Sequence, residues 1–175
     1  MNNVEKRFKI TRDGEITKHL GVENKWYKGD NDKMCCKATM RKKINAIVTE
    51  YEKYLGKPVK TFDSPGTPNE NLTKNEGETV DINAYRSFVG KVMFVATKVC
   101  PKVGAAVRAL SAHMTNPGTQ HWKAMNRLIG YMKQMDLMGI VYMEPESFRT
   151  ISLADTDYGN CRETRRSVGC ILITI

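Results

Sequence analysis

Asp155 and Asp157 are the pair in this sequence whose types and spacing could support metal chemistry. They stand at the end of a predicted strand, separated by Thr156, and strand alternation then puts both carboxylates on one face. Two such acids can share divalent cations that activate and clamp the oxygens of a phosphoryl transfer. Taken alone, an Asp-Thr-Asp run also suits a surface turn, because short carboxylates accept from the backbone amides that follow them.

A second chemistry is electrostatic. No acidic residue lies between Asp81 and Asp136, yet the same stretch holds Arg86, Lys91, Lys98, Lys102, Arg108, Lys123, Arg127 and Lys133. Cations unrelieved by acids over that length favour phosphate contact over simple solvation. The whole chain of 175 residues carries a net charge of +9, and its pI is near 9.3. Both values suit a polyanionic partner. The expected contacts to nucleic acid are Lys91, Lys98, Lys102, Arg108, Lys123, Arg127 and Lys133, with Arg86 reserved for structure.

Other reactive types point elsewhere. His19, His113 and His121 have no Ser, Cys or acidic partner at a catalytic spacing, and His121 beside Trp122 suits packing or capping. Cys35, Cys36, Cys100, Cys161 and Cys170 form no C-x-x-C pair. That argues against a zinc site or disulfide framework and for a reducing, intracellular setting, cytoplasmic or nuclear. Met1 to Ile10 lacks the apolar core of a secretory signal. No run approaches the roughly 20 apolar residues of a membrane-spanning helix.

The elements that must position these side chains follow from periodicity. Residues 8–28 carry strand formers (Phe8, Ile10, Ile16, Leu20, Val22, Trp26, Tyr27), with Asp13-Gly14 as a hairpin signal. Met34 to Lys37 can pair back as a third strand. Met40, Ile44, Ile47 or Val48, Tyr51 and Leu55 form one helical stripe, closed by Gly56 and Pro58. Residues 61–83 have no apolar period and predict a linker.

Three helices follow. Tyr85, Phe88, Val89, Val92, Val95, Ala96 and Val99 mark the first, and Pro101 opens the second. Val103, Ala106, Val107, Leu110 and Met114 mark that second helix before Asn116-Pro117-Gly118 breaks it. Trp122, Met125, Leu128, Ile129 and Met132 mark the third. Short helices with tight turns pack as a bundle. Strands are then predicted at Gly139 to Met143 and Thr150 to Leu153 around a Pro145 turn, and at Ser167 to Ile175.

Tyr85-Arg86-Ser87-Phe88-Val89-Gly90 resembles the Tyr-Arg-x-x-Val-Gly block of copia-type LTR-retrotransposon polyproteins. At matching distances come Pro101, Ala106-Val107, Leu110-Ser111, Pro117, His121-Trp122, Ala124, Arg127, Leu128 and Tyr131. Upstream, Leu20-Gly21-Val22-Glu23 resembles the family's Leu-Gly-Ile-x-Ile strand, and Thr67-Pro68 its Thr-Pro linker. Downstream, residues 154–160 (Ala-Asp-Thr-Asp-Tyr-Gly-Asn), then Arg165-Arg166-Ser167 and Gly169, are similar to the opening of its RNase H domain. Departures occur at Val99-Cys100-Pro101-Lys102, where the family has Thr-Arg-Pro-Asp, at Lys37 and Met40, and at Lys133-Gln134-Met135.

The resemblance implies an α+β fold in four parts. Residues 1–60 would be the edge of a reverse transcriptase domain, with a β-hairpin and helix, and 61–83 a linker. Residues 84–135 would be a basic three-helix bundle of thumb or connection type, and 136–175 a truncated, partial RNase H-like sheet. It also implies Asp155 as a vestigial RNase H acid that held Mg²⁺ in the parent enzyme, with Asp157 as its neighbour. The partner acids would lie beyond Ile175 and the polymerase Tyr-x-Asp-Asp before Met1. A chain of this kind is expected to bind RNA, DNA or hybrid, together with other parts of a polyprotein, and to lack catalysis and a stably held Mg²⁺ on its own. Two alternatives stand beside it, a non-catalytic nucleic-acid-binding protein and an inert relic.

Overall fold

A computed structural model describes residue 7 and residues 14–67, 72–78, 80–134, 139–145, 149–156, 165, 167 and 169–174. Its elements run β1 (Lys18–His19), β2 (Val22–Lys28), β3 (Met34–Thr39) and α1 (Arg41–Leu55). They continue as α2 (Ile82–Lys98), α3 (Gly104–Ser111), α4 (Thr119–Gln134), β4 (Gly139–Met143), β5 (Ile151–Thr156) and β6 (Gly169–Thr174). The fold is α+β.

Helical periodicity accounts for the four helices and their buried faces. Ile44, Ile47, Val48 and Tyr51 of α1 are buried, and Gly56 ends that helix with φ +67°, the left-handed conformation glycine adopts freely. The Asp81 carboxylate accepts from Ala84 N at 2.9 Å and starts α2. Pro101 opens a single 3-10 turn, Pro101–Val103, that leads into α3. The stripes of all four helices meet in one apolar core that includes Ile47, Val92, Leu110, Met125, Leu128 and Met132. Each fully buried aliphatic side chain contributes about 1.5–3 kcal/mol there. The Tyr85 hydroxyl donates to Leu110 O at 3.0 Å and ties α2 to α3.

One strand expectation is corrected, that of the C-terminal strands, while the Asp13-Gly14 hairpin signal rests on Asp13, which lies outside the described residues. A hairpin among the described residues turns at Leu20-Gly21, with φ +48° and +82°. Positive φ at both central residues matches the right-handed twist of the flanking strands, and pairing β1 to β2 holds even Leu20 there. The C-terminal strands, moreover, do not form one sheet around Pro145. β4 pairs antiparallel with β3, Ala38 opposite Ile140, giving the sheet order β1-β2-β3-β4. The free edge of β3 supplies the hydrogen-bond partners that β4 needs. β5 and β6 form a separate two-stranded sheet. Residues Phe8, Ile10, Asp157 and Cys161 fall outside the described residues.

The described residues between Val59 and Val80 contain no helix or strand, whereas the helix α2 begins at Ile82, within the 61–83 expected as linker. The described residues bonded to α4 form a strap along it from its C-terminal to its N-terminal end. Gln134 Nε2 donates to Phe62 O at 2.6 Å, and Arg127 Nη2 donates to Ser64 Oγ at 2.8 Å. Gln120 Nε2 donates to Thr73 O at 2.8 Å, and Val80 N donates to Pro117 O at 3.3 Å. Side chains of α4 thus satisfy backbone carbonyls that a loop would otherwise offer to water.

Candidate nucleic-acid interface

The seven cations expected to meet phosphate divide into two groups. Lys91 pairs with Glu50 of α1 and lies 5.1 Å from the centre of the Phe88 ring. Lys133 pairs with Glu52 at 2.7 Å and donates to Val59 O at 3.2 Å. The Lys133 ammonium, with help from the Val59 N–H, holds the Glu52 carboxyl below its usual range. Arg127 covers the Phe62 ring at 5.0 Å in addition to its bond to Ser64. These three cations fasten the bundle to α1 and to the strap.

Lys98, Lys102, Arg108 and Lys123 are exposed and join none of the ion pairs among the described residues. Lys98 closes α2, Lys102 follows it on the 3-10 turn, Arg108 lies on α3 and Lys123 on the second turn of α4. Arg86 donates from Nε to Met114 O at 2.8 Å, the structural part expected of it.

His121 is fully buried and works as a cap. Gly118 N donates to its Nδ1 at 2.8 Å, and Nε2 lies 3.0 Å from Thr73 O. An amide N–H can only donate and a carbonyl only accept, so the ring is the neutral tautomer protonated at Nε2. One imidazole therefore closes the first turn of α4 and holds the strap.

Sequence reasoning missed an aromatic cleft of about 710 Å³ between α1, the strap and the start of α4. Tyr54 and Trp122 stack in it with centroids 5.1 Å apart and planes at 13°. Lys57, Lys123, Thr119 and Asn126 also line it. The available signal was Tyr51 and Tyr54 at helical spacing, with a Trp at the start of another helix.

Asp155 lies on β5 opposite Cys170 and is exposed. Its Oδ1 accepts from Thr156 N at 2.9 Å, a local turn-like bond. Among the described residues no three His, Cys, Asp or Glu side chains gather where they could hold a metal ion, and Asp157, the expected neighbour of Asp155, lies outside them. Cys35, Cys36 and Cys170 are free thiols. No helix among the described residues is long and apolar enough to cross a membrane.

No family model matches the chain, and no solved structure matches it. The chain is 24% identical over 164 residues to the retrovirus-related Pol polyprotein from transposon RE1 of Arabidopsis thaliana, covering 93% of this chain and 11% of that protein. It is 23% identical over 159 residues to the corresponding polyprotein from transposon RE2 of the same plant, covering 90% and 10%. It is also 28% identical over 91 residues to secreted RxLR effector protein 161 of Plasmopara viticola, covering 52% of this chain and 64% of the effector. The chain thus spans less than two thirds of the effector and about one tenth of each polyprotein. Over most of its length it is similar to retrotransposon Pol polyproteins.

Proposed function

We propose that this chain is a piece of a copia-type Pol polyprotein, from the end of its reverse transcriptase into its RNase H region, that grips the phosphate backbone of nucleic acid. It carries out no catalysis on its own. The observation that carries this reading is the acid-free bundle, whose surface keeps Lys98, Lys102, Arg108 and Lys123 outside the ion pairs seen among the described residues. Contacts of this kind position a nucleic acid without reading base edges. Asp155 is a vestigial RNase H acid in this reading. A single carboxylate holds Mg²⁺ loosely when no substrate phosphate assists it.

The test is a salt titration with an RNA–DNA hybrid and with duplex DNA. Four phosphate contacts give a slope of log affinity on log salt of about −3.6, or about 150-fold between 50 and 200 mM salt. Changing Lys98 and Lys102 together to Glu weakens binding for every sequence alike and flattens that slope. The hybrid remains uncut in Mg²⁺, with or without Asp155→Asn. A slope near zero would leave the inert relic as the surviving alternative, and cleavage that Asp155→Asn abolishes would overturn the non-catalytic reading.

A further inference from the structure

We infer that the cleft between α1 and α4 is a stacking site for one unpaired nucleobase, so that the chain prefers single-stranded nucleic acid over duplex. This rests on the nucleic-acid reading above and gives it a second, chemically different contact. Trp122 backs Tyr54 in near-parallel stacking, while Tyr54 keeps 45% of its surface exposed. That leaves ring surface for a further planar group. Lys57 and Lys123 line the same cleft, both exposed and outside the ion pairs among the described residues. The cleft therefore offers an aromatic plane with two cations in its lining, which suits a base and its neighbouring phosphates. A neutral apolar ligand would leave both lysines without a role. Thr119 and Asn126 at the wall can hydrogen-bond a base edge. A base held in a duplex cannot reach the rings without leaving its own stack.

The experiment uses the full chain in a Trp26→Phe background, so that Trp122 is the only tryptophan. The probes are a dT12 oligonucleotide and a 12-base-pair duplex at one salt concentration. Adding dT12 quenches Trp122 fluorescence, and the duplex does not. Tyr54→Ala lowers the dT12 affinity about tenfold, the size of one base–aromatic stack, and leaves duplex affinity unchanged. Tyr54→Phe keeps both affinities. The Lys98 and Lys102 double change to Glu weakens dT12 and duplex together. If Tyr54→Ala leaves dT12 affinity intact and Trp122 unquenched while the duplex still binds, the stacking site is wrong and backbone binding stands. If neither probe binds the parent chain, both readings fall.

Discussion

Gly130→Ala is expected to destabilise the protein by about 2 kcal/mol or more, a thermal midpoint lowered by about 5 °C or more. The sign is opposite to helix propensity, which favours alanine over glycine by about 0.8–1 kcal/mol in a helix interior. Gly130 sits within α4, and a Cβ added there would stand 2.1 Å from Lys60 O and 2.7 Å from the Phe62 ring. The carbonyl is backbone, held on one side by the Val59 N–H bond to Glu52 at 3.0 Å and on the other by Gln134 on Phe62 O. The strap therefore cannot yield without losing these bonds. Gly90→Ala is the control, because a Cβ at that exposed position in α2 meets nothing within 4 Å. That change should raise stability by about 0.5–1 kcal/mol. Urea melts of both variants decide the matter, and an unchanged or raised midpoint for Gly130→Ala would mean that the strap does not lie against α4.

His121→Ala is expected to cost about 3 kcal/mol and to release the strap. Both ring nitrogens have buried or half-buried partners, Gly118 N and Thr73 O. Alanine leaves the amide unsatisfied, at about 1–3 kcal/mol, and opens a cavity beside His113, whose ring lies 4.1 Å away. Thr73 O keeps its bond from Gln120, which moderates the loss. His121→Gln should recover part of the stability, because a Gln at the third position of a helix can reach back to the cap N–H. Limited proteolysis reads the local effect, with cleavage at Lys74 rising in His121→Ala and less in His121→Gln. Equal protease resistance in all three proteins would show that the imidazole does not hold this segment.

The two variants probe the part of the molecule that composition describes least well. Nothing in the Asn, Glu, Lys and Gly residues of 61–83 predicts attachment, because the bonds that fix them come from Gln120, His121, Arg127 and Gln134 of α4, at least 46 residues away for the Thr73 and Lys74 contacts. The aromatic cleft was hidden for the same reason. Tyr54 and Trp122 belong to helices that are separate in sequence, and only their packing makes one stacked plane.

The features legible in the amino-acid order alone are local ones. Apolar stripes at helical spacing specified four helices and which face of each turns inward, because a helix closes its hydrogen bonds within a few residues. Gly56 marked the end of one of them by backbone chemistry that needs no distant partner, whereas the Asp81 cap of α2 came to light only in the structure. The net charge and the acid-free run were equally plain. Tertiary structure decided whatever depends on a partner far along the chain. It set β4 against β3 rather than β5, since a strand's hydrogen bonds point outward to whichever edge lies beside it. It also brought Glu50 and Glu52 of α1 across to Lys91 and Lys133. Charge is shared through space, so a segment without acids in sequence is not without acids in the fold.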